Sequence, residues 1–123
     1  MGSKSRQLHI FFFPLMAHGH LIPMMDTAKL FAARGVKATI VTTPRNEPLF
    51  SKTRGTNIDI QIIKFPAVEA GLPEGCENID SVTSLDMSHK FIKATKMLQQ
   101  PLEQLLYASL IIIYIEGFII LAV

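Results

Sequence analysis

The stretch LHIFFFPLMAHGHLIPMMDTAKLFAARGVKATIVTT, residues 8–43, decides the fold class. It begins with a continuous apolar run, residues 8–13, which Pro14 ends, and such a run is typical of a strand buried on both faces. The residues that then recur at helical spacing are Leu21, Met25, Ala28 and Ala32. A β-branched run, residues 36–43, predicts a second strand. Strand, helix and strand in this order predict a parallel sheet with a right-handed crossover.

The chain continues the same alternation. A short helix is predicted over residues 46–53 and a third strand over residues 58–65. A glycine- and proline-containing loop leads to a long helix over residues 84–106. We expect Asp80 to cap this helix and Pro101 to interrupt it, since proline has no N–H to donate. The whole pattern predicts an α/β domain.

The tail, residues 107–123, holds much of the apolar excess behind the mean hydropathy of +0.32. It is shorter than the ~20 apolar residues of a membrane-spanning helix, and Glu116 interrupts it. Its β-branched richness predicts one buried strand in its front half, with a membrane tail as the alternative. The predicted organisation is therefore a flexible N-terminus (residues 1–7), one domain (residues 8–106) and a divergent hydrophobic tail.

Composition excludes several classes of protein. Hydrophobic residues make up 49% of the 123 residues and charged residues 18%, which excludes a disordered chain. A net charge of +2 is too small to indicate a nucleic-acid binder. The single cysteine, Cys76, excludes an internal disulfide framework and is predicted to be an inert thiol. Pro14 interrupts the only run resembling a signal peptide, so a cytoplasmic location is expected.

The turn after the first strand, residues 14–20 (PLMAHGH), is the predicted functional site, because ligands of open parallel sheets bind at the carboxyl ends of strands. Its single glycine, Gly19, fits neither a dinucleotide-binding pattern nor a phosphate loop. His20 stands at the predicted helix start, where an imidazole can take a proton from a hydroxyl. On position alone, a structural role for His20 is the commoner outcome. His18 and His20 lack a third ligand of suitable spacing, so no metal is expected.

Three separate stretches carry a family resemblance: residues 9–46, residues 62–80 (IIKFPAVEAGLPEGCENID) and residues 96–106 (KMLQQPLEQLL). They resemble the N-terminus of plant UDP-sugar-dependent glycosyltransferases, in particular the group that glucosylates flavonoids and small phenolics such as scopoletin. The resemblance spans residues 8–106. It implies a Rossmann-like parallel sheet that forms the N-terminal, acceptor-binding half of a two-domain GT-B glycosyltransferase.

The resemblance also implies a reaction. A hexose, with glucose expected, would pass from a UDP-sugar to a hydroxyl of a small phenolic or flavonoid with inversion. It assigns the general base to His20 and places Met16, Ala17 and Gly19 beside the acceptor. It implies no cofactor, because the UDP-sugar is a co-substrate held by a second domain. Neither nucleic acid nor a membrane is an expected partner.

The resemblance stops after Leu106. Members of the family continue to a fourth strand that ends in an Asp, which orients the catalytic His. Here no Asp follows Asp86, Glu116 is the only carboxylate in the tail, and the chain has no Trp for the donor-binding signature. The sequence therefore predicts a truncated member that is inactive in isolation. The alternatives are a non-catalytic small-molecule-binding or partner module and a membrane-associated fragment.

Overall fold

The computed structural model describes most of the chain, namely residues 9–14, 16–53, 57–105, 111–115 and 118–122. It describes only the backbone for some of these, namely residues 18, 20, 52–53, 111–115 and 118–122. The predicted flexible N-terminus, residues 1–7, and Glu116 lie outside the described residues.

One sheet of five strands organises the molecule, in the order β3-β2-β1-β5-β4. The strands are β1 (His9–Phe13), β2 (Lys37–Thr42), β3 (Ile58–Ile62), β4 (Ile111–Ile115) and β5 (Phe118–Ala122). β1 pairs with β2, and β2 with β3, and both pairs are parallel. The predicted parallel arrangement of the first three strands is thus confirmed, with β2 in the middle, where it is buried along most of its length.

The helices are α1 (His18–Ala33), α2 (Leu85–Met97) and α3 (Gln99–Leu105). A 3-10 segment, Glu47–Thr53, stands where a short helix is predicted. α2 and α3 together replace the single predicted helix, and the break falls at Leu98, the C-cap of α2. Pro101 accounts for the break, because it has no N–H to donate to the carbonyl of Met97.

Two details of the helix starts differ from the sequence prediction. α1 begins at His18 rather than at His20, and Pro23 is its sixth residue. The carbonyl of Gly19 therefore lacks the usual i+4 donor. α2 is capped by Ser84, whose Oγ accepts the N–H of Met87 at 3.1 Å, because Asp80 lies in a separate 3-10 turn, Ile79–Ser81.

The tail forms a hairpin: the strand predicted in its front half is β4, and a second strand, β5, which was not predicted, follows it. β4 and β5 are antiparallel, with Ile115 opposite Phe118. β5 then pairs antiparallel with β1, and Ile119 lies opposite Phe13. A parallel return would need a crossover of a dozen or more residues, whereas only two separate β4 from β5. The hairpin therefore continues the sheet beyond β1 without a helix.

Two apolar clusters cover the two faces of the sheet. On one face, α1 packs its predicted stripe against alternate residues of β1 and β2, and Phe12 and Leu21 are almost fully buried there. On the other face, α2 and α3 pack against the sheet, and the ring of Phe91 lies 5.2 Å from that of Phe65. Among the helices in the described ranges, none is long and apolar enough to cross a membrane.

Candidate active site

The β1–α1 turn lies at the carboxyl end of the central strands. After β1 ends at Phe13, the chain passes through Met16 to Ala17, which has an extended backbone (φ −142°, ψ 137°) and is the N-cap of α1. The carbonyl of Ala17 accepts the N–H of Leu21 at 2.9 Å, which begins the helix. His18, Gly19 and His20 form the first turn of α1. The turn therefore places two imidazole-bearing residues at the end of the sheet where ligands of this architecture bind.

The predicted site residues divide into buried and open positions. Met16 and Ala17 are buried, with 3% and 9% of their surface exposed, and Met16 belongs to the cluster beneath α2 and α3. Gly19 is exposed, and a Cβ added there would meet nothing within 4 Å. His20 is the third residue of α1, and its side chain lies outside the described part of the chain. Contact of Met16, Ala17 and Gly19 with an acceptor stays a prediction.

Sequence reasoning missed a polar network beside this turn. The N–H of Ile79 donates to the carbonyl of Met16 at 2.8 Å, although the two residues are 63 positions apart in the chain. Asn46 and Asn78 are both buried, and the Asn78 amide donates to Asn46 Oδ1 at 3.2 Å. An asparagine in a turn ordinarily lies at the surface, so only the three-dimensional structure reveals that these two meet.

Two other potentially reactive side chains, those of Cys76 and His9, lie outside the turn in structural surroundings. Burial, together with the negative charge of Glu77, raises the pKa of the Cys76 thiol, which fits the predicted inert thiol. His9 lies at the amino end of β1, and its Nε2 is hydrogen-bonded to Thr39 Oγ1 at 2.7 Å. Neither side chain belongs to the β1–α1 turn.

Other features of the surface do not extend the site. Among the side chains that the structure describes, no three His, Cys, Asp or Glu residues lie close enough to hold a metal ion. A hollow of about 380 Å³ opens between the segments after β2 and β3, with the Lys64–Glu69 ion pair (2.7 Å) on its rim. None of the predicted site residues lines this hollow. The turn thus contains two histidines, a residue type that can accept a proton near neutral pH, and an exposed glycine between them.

Comparison with known proteins gives a consistent picture. No model of a protein family matches the chain. The chain is 59% identical to scopoletin glucosyltransferase of Nicotiana tabacum over 106 residues, which cover 81% of this chain and 22% of that enzyme. It is 54% identical to UDP-glucose flavonoid 3-O-glucosyltransferase 7 of Fragaria ananassa, over 86% of this chain and 22% of that enzyme. The chain thus spans about a fifth of the length of these curated relatives.

Solved structures support the same fold class. UGT73P12 of Glycyrrhiza uralensis, in complex with glycyrrhetinic acid 3-O-monoglucuronide, matches with a TM-score of 0.73 and 34% identity, over 84% of this chain and 22% of that one. UGT89C1 of Arabidopsis thaliana, in complex with UDP-L-rhamnose, matches with a TM-score of 0.71 over 84% of this chain and 27% of that one. At 23% identity, this second match shows the fold alone. The predicted Rossmann-like sheet of a GT-B glycosyltransferase is confirmed.

The resemblance read from the sequence is therefore confirmed by relatives at 48–59% identity, and it extends over about 80% of the chain. The chain belongs to the plant UDP-glycosyltransferases, and the residues that align correspond to the N-terminal portion of those enzymes.

Proposed function

We propose that these residues form the acceptor-side portion of an enzyme that transfers glucose from UDP-glucose to a hydroxyl of a small phenolic or flavonoid. His20 is the general base. It takes the proton of the acceptor hydroxyl as the oxygen attacks the anomeric carbon, and UDP leaves from the opposite face, so the configuration inverts.

The position of His20 in the first turn of α1 is the observation that supports this role. That turn lies at the carboxyl end of the parallel strands, and the adjacent Gly19 is exposed with open space beyond it. An acceptor could therefore approach the turn without displacing a side chain at Gly19. Relatives named for scopoletin and flavonoid glucosylation support the class of acceptor.

Transfer requires a second portion to hold the UDP-sugar, and we propose that a polypeptide of these 123 residues alone catalyses none. Orientation of the two substrates contributes much of the rate of a group transfer, and this contribution is lost when the donor is not held. The proposed partners are the phenolic acceptor and, in the complete catalytic unit, the UDP-sugar. The proposed location is the cytoplasm.

A chimera tests the proposal directly. Residues 9–105 of this chain replace the aligned stretch of the tobacco scopoletin glucosyltransferase, and product formation from UDP-glucose and scopoletin is measured. We expect the chimera to be active and His20→Ala to lower kcat by about 10²- to 10⁴-fold, the usual contribution of a general base. The 123-residue chain, assayed alongside, is expected to give no product.

His89→Ala is the matched control, because His89 is an exposed histidine on α2 and is not part of the β1–α1 turn. It is expected to retain the activity of the chimera. If His20→Ala and His89→Ala were equally active, His20 would not be the base. Product formed by the 123-residue chain would refute its proposed inactivity.

A further inference from the structure

Asn46 and Asn78 are the two buried carboxamides among the described side chains, with 3% and 8% of their surface exposed. Asn46 Nδ2 donates to the Glu77 carbonyl and to Thr43 Oγ1, both at 2.8 Å. Asn46 Oδ1 accepts from Asn78 Nδ2 at 3.2 Å. The pair thus joins the turn after β2 to a segment that lies 32 residues further along the chain.

The orientation of both amides follows from their partners. The Glu77 carbonyl can only accept, so Asn46 presents its NH₂ group to it and its oxygen to Asn78. The N–H of Asp80 can only donate, and Asn78 Oδ1 accepts it at 2.9 Å. Each amide therefore has one arrangement that satisfies all of its partners. Such a network is rigid, because a flip of either amide would place an acceptor against an acceptor, or a donor against a donor, and would break the hydrogen bonds.

The network reaches the candidate active site through one backbone bond. Asn78 is the N-cap of the 3-10 turn Ile79–Ser81, and the N–H of Ile79 donates to the Met16 carbonyl at 2.8 Å. Met16 is directly followed by Ala17, the N-cap of α1. A second bond between the same two segments is exposed: the Arg45 N–H donates to Glu77 Oε1 at 2.8 Å.

We propose that Asn46 and Asn78 are positioning residues that fix the β1–α1 turn, and with it His20, relative to the loop after β2. This inference rests on the proposed function of His20 for its catalytic consequence. The two amides touch neither substrate nor reacting atoms in this scheme. They act through Ile79 and Met16, by limiting how far the start of α1 can move.

Asn78→Ser is the primary test. A serine can keep the capping bond to the Asp80 N–H, but it is too short to reach Asn46, and it adds no buried charge. In the 123-residue chain we expect the amides of Ile79 and Leu21 to exchange with solvent at least about tenfold faster than in the wild type, because local opening becomes easier. The amides of β2 are expected to stay within about twofold.

Asn57→Ser is the matched control. Asn57 Nδ2 also bonds a distant backbone group, the Val36 carbonyl at 3.1 Å, but at the amino end of the strands. It is expected to leave the exchange of Ile79 and Leu21 unchanged. Equal acceleration throughout the sheet in Asn78→Ser would show a loss of global stability only and would overturn the proposal, as would unchanged exchange at Ile79 and Leu21.

Asn78→Asp is a conservative variant whose defect is expected to be relieved at low pH, and it remains informative if the serine variant does not fold. Its carboxylate keeps the cap but opposes Asn46 Oδ1 with a second acceptor. On acidification the protonated carboxyl group becomes a donor to that oxygen. The excess exchange of Ile79 and Leu21, measured against the wild type at the same pH, is therefore expected to shrink as pH falls. An excess that stays constant or grows would overturn the proposal.

The catalytic consequence is measured in the tobacco chimera. Asn78→Ser is expected to lower kcat about tenfold and to leave KM for UDP-glucose within about twofold, because a displaced base affects the chemical step. A raised KM with unchanged kcat would overturn the positioning role. If the unsubstituted chimera is inactive, the proposed function fails, whereas the exchange measurements still decide whether the two amides fix the turn.

Discussion

The two ends of the parallel strands are held by different kinds of contact. At the carboxyl end, the buried amides of Asn46 and Asn78 join the loops through a buried hydrogen bond to each other. At the amino end, the exposed Asn57 bonds the Val36 carbonyl. Lys37 and Asp59 form an ion pair there at 3.7 Å, with 43% and 65% of their side chains exposed.

This difference indicates where the fold requires a fixed geometry. An exposed hydrogen bond or ion pair exchanges readily with water and stabilises little. A buried amide that loses its partner pays a desolvation cost of about 1–3 kcal/mol, so a buried network tolerates few alternative arrangements. The carboxyl end, which has the buried network, is also the end that carries the β1–α1 turn and His20.

Asn46→Ala is expected to have the largest effect on stability. It removes two donated bonds and one accepted bond, and it leaves the Asn78 amide without its acceptor in a buried position. We expect the free energy of unfolding to fall by about 2–3 kcal/mol. Urea denaturation of the 123-residue chain, followed by circular dichroism, measures the change.

Asn57→Ala is the corresponding change at the amino end, and its expected cost is about 0.5 kcal/mol or less. Water can replace the lost bond to the Val36 carbonyl, because the bond is exposed. The same urea titration provides the measurement. Equal losses in free energy of unfolding for the two alanine variants would show that the buried network at the carboxyl end is no more important to stability than the exposed contacts at the amino end.

The sequence was sufficient to predict the parallel part of the sheet, because residues 8–13 and 36–43 carry strand patterns that do not depend on distant contacts. For the tail it predicted β4 but not β5. The two-residue gap between residues 111–115 and 118–122 contains a glycine, which is a hairpin signal, but the β-branched run dominated the interpretation.

The sequence likewise predicted only part of the candidate site. The location of His20 followed from the rule that ligands bind at the carboxyl ends of parallel strands, and its proposed catalytic role rests on the family resemblance. The Asn46–Asn78 bridge was not predictable, because it joins residues 32 positions apart through side chains whose types usually mark exposed turns. Pairing of this kind depends on how the loops pack.

His9 is expected to give the smallest effect, and it tests the amino end by pH. Burial lowers the pKa of His9 below its ordinary value of 6.5, and the positive charge of Lys37 lowers it further, against the opposing charge of Asp59. As pH falls through 6.5, the unfolded chain therefore binds a proton before the folded chain does, which favours unfolding. The free energy of unfolding should decrease as pH falls from 6.5 to the lowered pKa of His9. Above pH 6.5 it should not depend on the titration of His9.

The variant His9→Gln removes this titration while leaving an amide that can bond Thr39, the partner of His9 at 2.7 Å. The urea midpoints of the wild type and the variant are measured from about pH 8 to about pH 5. We expect the difference between the two midpoints to change as pH falls, because the wild type loses more stability on acidification. Because the His9 ring is only partly buried, the divergence should be smaller than the effect of Asn46→Ala. A constant offset across the whole range would show that His9 titrates alike in the folded and unfolded chains, and that the amino end is more open to water than its hydrogen bond to Thr39 indicates.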